Sequence, residues 1–402
     1  MRVEARPFLR GAWCRRSEDA VPGVGCIVIL VLIRKCVMTQ KPRSVKPAVL
    51  AAAALASLLA LTACSGGANA DDGGDAGLKV VATTTQLTDF ASEVGGDDIE
   101  LTGLLAPNAS AHHFDPSPAD LLALGEADVL IVNGADLESF VDDAVDASGF
   151  DGTIITAADG IDLDEAKHIT AEGAATDEHE HEHEHAGDAE HADEADHDHD
   201  HADEAEHDHD HGDVNPHIWT SLKNAVGMVT EIADGLAAAD ADHAGDYEQR
   251  AASYTERLQE LDTWIAAQFE RVPADERVLV SGHDSLRYYL HDYGIEFAGS
   301  ILPSFEDNAE PSAAEIDALV ASIEEHGVRA VFVESSMSPK LAQTIADEAG
   351  VEVVDSENLY ADSLGAPDSD GATYIGATVH NTELILDAWG AQVDAVPDSL
   401  QG

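Results

Sequence analysis

One long amphipathic stretch does most to limit how this chain can fold. Tyr247, Ala251, Tyr254, Leu258, Leu261, Ile265 and Phe269 recur at steps of three and four, the spacing that gathers side chains on one face of a helix. Pro273 ends the pattern, because proline lacks the amide hydrogen that a helix interior needs. A helix over residues 243–271 would run roughly 43 Å, longer than the usual globular helix. Just before it, Leu222, Val226, Val229, Ile232 and Leu236 mark another helix over residues 221–239. Together they define a helix pair at 221–272.

What flanks the pair sets the fold class. Four short apolar or β-branched runs precede it: Leu78–Thr84, Ile99–Leu105, Val129–Asn133 and Thr153–Thr156. Four more follow: Arg277–Ser281, Glu296–Ile301, Ala330–Glu334 and Val351–Asp355. Segments of helical pattern separate most of them. Strands that alternate with helices pair in parallel and keep both faces covered. The expected class is therefore α/β: two lobes, each a four-stranded mainly parallel sheet with flanking helices, joined by one long rigid helix. Residues 78–220 form the N-terminal lobe, with a disordered insert at 168–213, and residues 273–402 the C-terminal lobe.

The N-terminus reads differently. Lys41, Arg43 and Lys46 precede an apolar run from Ala48 to Leu61 that ends in Leu61-Thr62-Ala63-Cys64. Residues 38–63 thus resemble a bacterial lipoprotein signal peptide, with Cys64 as the lipidated first residue of the mature chain. The apolar run is short for a transmembrane helix. Residues 1–37 read as a non-native extension ahead of a true start at Met38. Residues 64–77, rich in Gly, Ala and Asp, read as a flexible tether. The four cysteines are Cys14, Cys26, Cys36 and Cys64, so beyond the anchor the chain has neither a disulfide nor a thiolate metal site. A formal net charge of −59 repels phosphate backbones and excludes nucleic acid as a partner.

The histidines are unevenly distributed. Eleven fall in one tract, at His179, His181, His183, His185, His191, His197, His199, His201, His207, His209 and His211, among little but Asp, Glu and Ala. Such a segment has too few apolar groups to bury a core and is expected to be disordered. Its imidazoles suit Zn, Cu or Ni, which points to a metal-gathering role, the alternative being a plain solvated insert. Outside the tract, His112 and His113 follow the second predicted strand, His217 precedes the helix pair, and His283 lies two residues past the fifth strand. Ligands in open α/β sheets bind beyond the carboxyl ends of strands, which is where His112 and His283 fall. A lone histidine there is more often structural; several together are not.

Five motifs sharpen this: His112-His113-Phe114-Asp115-Pro116, Asn215-Pro216-His217-Ile218-Trp219, Ser281-Gly282-His283-Asp284, Phe332-Val333-Glu334-Ser335-Ser336 and Leu359-Tyr360-Ala361-Asp362-Ser363-Leu364-Gly365. Taken together they resemble the metal-binding lipoproteins of manganese and zinc ABC importers, the cluster A-I receptors, over roughly Leu78 to Trp389. That resemblance implies one ion in the cleft between the lobes, held by His112 and His217 from one side and by His283 and Asp362 from the other. His113 is the alternative to His112. Glu334 is expected behind a ligating histidine, or as an ordinary strand-end carboxylate. Three imidazoles and a carboxylate favour Zn²⁺ over harder ions, and the manganese receptors of the family carry a carboxylate where His283 stands.

The expected function is an extracytoplasmic, high-affinity zinc receptor, anchored to the membrane through Cys64, that delivers Zn²⁺ to an ABC permease as a monomer. Alternatives are a receptor for manganese or another divalent metal, a metal-buffering or adhesive surface lipoprotein, and a mononuclear zinc hydrolase. A hydrolase needs an open coordination position and a general base; a fourth ligand at Asp362 closes the site, and no His-Glu-x-x-His helix is expected, the pattern falling only within the tract.

Overall fold

The computed structural model describes residues 77–174, 214–302, 304, 311–334 and 339–401. Cys64 and the tract histidines lie outside them.

Each half is a chain of strand–helix repeats. The first runs β1 (Leu78–Ala82), α1 (Thr85–Gly95), β2 (Ile99–Gly103), α2 (Pro118–Gly125), β3 (Val129–Val132), α3 (Val141–Ser148), β4 (Thr153–Thr156) and α4 (Leu163–Ala174). Next come the paired helices α5 (Leu222–Ala239) and α6 (Ala244–Phe269). The second half runs β5 (Val278–Ser281), α7 (Arg287–Asp292), β6 (Glu296–Ser300), α8 (Ala313–His326), β7 (Ala330–Glu334), α9 (Pro339–Ala349), β8 (Glu352–Leu359) and α10 (Tyr374–Ala388). The sheets are four-stranded and parallel throughout, ordered β2-β1-β3-β4 and β6-β5-β7-β8. In both, the chain leaves the central pair in opposite directions, so the carboxyl ends of β1 and β3, and of β5 and β7, each flank a switch point.

Local chemistry starts the helices where the sequence breaks. Ser117 and Asp120 cap α2 reciprocally with Pro118 in its first turn, and Ser312 and Glu315 do the same for α8, satisfying amides that have no partner within the helix. The pleat then sorts the core. Val80 and Ala82 join the main apolar cluster while Val81 faces a smaller one with Leu130 and Leu124. Likewise Leu279 points inward, and Val278 and Val280 point outward to Leu319 and Ile345, as a period of two requires.

The long helix unites the halves. α6 has 26 residues, roughly 39 Å, and buries Tyr247, Tyr254, Leu258, Leu261, Ile265 and Phe269 along one face. It packs against α5, against α1 of the first lobe and against α10 of the second, so one apolar core runs through both lobes.

One boundary differs from expectation. The insert expected from residue 168 is helical through Ala174, because Ala166 and Ile169 bury the inner face of α4 and the Thr170 hydroxyl accepts a hydrogen bond from the Asn215 amide at 2.9 Å. The remainder of the insert lies outside the described residues. No helix among the described residues is long and apolar enough to cross a membrane.

Candidate metal centre

Four side chains from four separate loops meet between the lobes. His112 sits in the turn between β2 and α2, His217 just before the short helical turn Ile218–Thr220, His283 two residues past β5, and Asp362 three residues past β8. One ligand atom from each lies within 4.8 Å of all the others. His217 and His283 are fully buried, Asp362 is 4% exposed and His112 is half-buried. His113 is exposed and stands outside the group.

The spacing is that of a coordination shell. His217 Nε2 is 3.1 Å from His112 Nε2, 3.3 Å from His283 Nε2 and 3.3 Å from Asp362 Oδ1. His283 Nε2 is 3.0 Å from the same Oδ1. Ligands about 2.0–2.1 Å from a tetrahedral ion stand about 3.3 Å from one another, so the four donors would need little movement to surround one.

The two buried imidazoles are each held from the far side. Asn215 Oδ1 lies 2.7 Å from His217 Nδ1 and also accepts the His217 amide at 3.1 Å. An acceptor there places the ring proton on Nδ1 and leaves the Nε2 lone pair aimed at the centre. Asn215 is itself fixed, donating through Nδ2 to the Asp284 carbonyl at 2.6 Å and accepting the Tyr288 hydroxyl on its own carbonyl at 2.6 Å. Behind His283, Glu334 Oε1 stands 3.5 Å from Nδ1 and accepts the Ser285 hydroxyl at 2.8 Å. Carboxylates in this position raise the basicity of a ligating ring.

Electrostatics separate the two buried rings. Burial drives the His217 pKa down to about 4 despite the nearby Asp362 carboxylate, so this imidazole is neutral at physiological pH. Burial also opposes charge on His283, but the Asp362 and Glu334 carboxylates outweigh it and hold that ring well above the ordinary histidine range. Burial would likewise raise Asp362; the facing His283, charged, and the closeness of both ring nitrogens keep it well below the usual carboxylate range. Asp362 is thus held ionised in the interior by the imidazoles that face it.

The loop that carries Asp362 is fastened to the opposite lobe. The Ala361 carbonyl accepts Trp219 Nε1 at 3.0 Å and Gln86 Nε2 at 3.3 Å. The Leu364 amide donates to Thr85 Oγ1 at 2.8 Å, and its carbonyl accepts the Asn108 amide at 3.1 Å.

The model of a known family, zinc-uptake complex component A (ZnuA), periplasmic, matches residues 80–388, both lobes and the helices between them. The chain belongs to the ZnuA family. The manganese-binding lipoprotein MntA of Bacillus subtilis (strain 168) is 29% identical over 342 residues, 84% of this chain and 98% of its own. The manganese ABC transporter substrate-binding lipoprotein PsaA of Streptococcus pneumoniae is 25% identical over 341 residues, 83% of this chain and 95% of its own. The periplasmic zinc-binding protein TroA of Treponema pallidum shares the fold, with a TM-score of 0.63 at 23% identity over 79% of this chain and 100% of its own. So does the Mn-bound periplasmic metal-binding protein of Candidatus Liberibacter asiaticus, with 0.59 at 23% over 78% and 99%. Membership of the ZnuA family makes the chain an extracytoplasmic metal-binding receptor of an ABC importer and not an enzyme.

Some supporting residues carry no local signal. Asn215 lies within a quoted motif, but its bond to His217 emerges only from the fold. Gln86, Thr85 and Asn381 are polar groups at buried positions; a lone polar residue on an otherwise apolar helix face is the one trace that such roles leave in a sequence.

Proposed function

We propose that this ZnuA-family receptor captures Zn²⁺ with His112, His217, His283 and Asp362 and hands it to the permease of a zinc ABC importer. The observation that carries the reading is the convergence of three imidazole nitrogens and one carboxylate oxygen at tetrahedral spacing. Borderline nitrogen donors in a closed four-ligand set suit zinc better than harder ions. Glu334 holds His283 from behind, Cys64 carries the lipid anchor, and the receptor works as a monomer. The tract from His179 to His211 gathers zinc more weakly than the cleft, whose donors are held in place.

A second reading is manganese, favoured by the names of the MntA and PsaA relatives. Metal analysis and competition titration separate the two, using protein from which residues 175–213 are deleted so that α4 and Thr170 stay intact. The zinc reading expects one tight zinc site per chain that is lost in His217→Ala. A tight site that prefers Mn²⁺ when both ions compete would replace it, and loss of the tight site with the tract would redraw the ligand set.

A further inference from the structure

Asp362 is the sole oxygen donor of the four, and its reach depends on a short piece of backbone after β8. The last residue of that strand, Leu359, pairs with Glu334. At the next residue the sheet is replaced by a side chain: Asn381 of α10, only 6% exposed, accepts the Tyr360 amide on Oδ1 at 2.9 Å and donates from Nδ2 to the Tyr360 carbonyl at 2.7 Å. One carboxamide thus makes both bonds that a neighbouring strand would make to an extended residue. The Tyr360 ring is pressed from other directions. A Cβ on Gly371 would fall 2.2 Å from its Cε2, and one on Gly365 2.7 Å from its Cε1, so only glycine backbone fits beside it. The Gly365 amide ties these two segments together by donating to the Gly371 carbonyl at 2.8 Å.

Packing alone does not immobilise this stretch. Gln86, Trp219, Tyr360, Leu364, Tyr374 and Asn381 border a small cavity, and atoms that face a void lose the contacts that hold side chains elsewhere in a core. Directional restraint on this stretch comes from the pair of hydrogen bonds from Asn381 and from those that the first lobe makes to Ala361 and Leu364.

We propose that Asn381 is a positioning residue that sets the reach of Asp362 and, through it, the preference of the centre for zinc over harder ions. The proposal rests on the four-residue site argued above. Held as it is, Asp362 brings one oxygen, Oδ1, to 3.0 and 3.3 Å from two imidazole nitrogens, completing a four-donor set. With slack at Tyr360 the carboxylate turns and offers both oxygens. The extra hard donor penalises a small tetrahedral site and favours ions that take more oxygen ligands.

The test measures Zn²⁺ and Mn²⁺ affinities of the full chain by competition with a chromogenic chelator, alongside the melting temperature of the metal-free protein. Asn381→Ala should lower zinc affinity at least about tenfold while manganese affinity holds or rises. Asn381→Asp keeps the acceptor for the Tyr360 amide and should fall between parent and Asn381→Ala. Gly371→Ala pushes Tyr360 from another side and should shift the ratio in the same direction, which keeps the test open if Asn381→Ala does not fold. Parallel loss of both metals in step with the melting temperature overturns the proposal, as does an unchanged ratio. Asp362→Ala is the control: no effect on either metal would mean that the ligand set itself is wrong, whereas a large effect beside silent Asn381 variants would sink the positioning role alone.

Discussion

At the scale of single residues, the proposed centre depends on groups outside the four-residue set. Asn215 fixes the tautomer and the tilt of His217 with one oxygen and spans to the second lobe with its amide nitrogen. Asn215→Ala should therefore weaken metal binding by about 10- to 100-fold, while Asn215→Asp, which keeps the acceptor, should recover most of the loss. Chelator competition measures both, and an alanine variant with parental affinity would show that packing alone orients the ring. His112 against His113 makes a related point. The two are chemically identical neighbours, and only the path of the loop turns one toward His217 and leaves the other in solvent.

At the scale of elements, Asp89 joins three helices. It lies on α1, and its Oδ2 accepts the Tyr254 hydroxyl of α6 at 3.2 Å and the Tyr374 amide at the start of α10 at 3.1 Å. Burial, with help from nearby Glu93, raises its pKa to about 6 from 3.8, against the hydrogen bonds and Arg257 that pull it down. A raised carboxyl pKa means that the native state binds the proton more tightly than the unfolded chain. This group's contribution is therefore most favourable below about pH 4 and is lost as the pH rises through about 6. The loss is on the order of 3 kcal/mol. Other carboxyls titrate in the same range, so the informative quantity is the difference between parent and Asp89→Asn in denaturant unfolding from pH 4 to 7. That difference should move in favour of the variant as pH rises; a constant difference would show that Asp89 ionises normally.

At the scale of the whole molecule, two sheets share one core. The main cluster runs from Val80 and Phe90 through Leu258 and Ile265 to Leu279 and Ile385, with the long helix α6 as its middle. Lobes joined in this way should not melt separately. Heating the metal-free protein should give a single transition with coincident near- and far-ultraviolet dichroism, and saturating zinc should raise its midpoint, by about 2.7 kcal/mol of stability at a hundredfold excess over Kd. Two resolved transitions would mean that the lobes are independent and that α6 is a hinge. A stiff helix with a continuous core favours small relative movement of the lobes when the ion is released.

Much of this was legible in the chain before it was folded. Short apolar or β-branched runs marked all eight strands to within a few residues, and apolar steps of three and four marked α5 and α6, because these signals record which parts of a short segment are buried. The four residues now proposed as ligands came from motifs that resemble those of the family, with His112 and His283 just beyond strand ends. Other features were decided only in three dimensions. Helix α4 continues past residue 168 because Ala166, Ile169 and Thr170 find partners elsewhere. His112 is chosen over His113, Asn215 meets His217 and Asp284, and Asn381 reaches back to Tyr360. The reason is physical: periodicity encodes burial, which a segment settles with its own near neighbours. The pairing of one buried polar group with another depends on where the chain returns, and only the tertiary structure determines that.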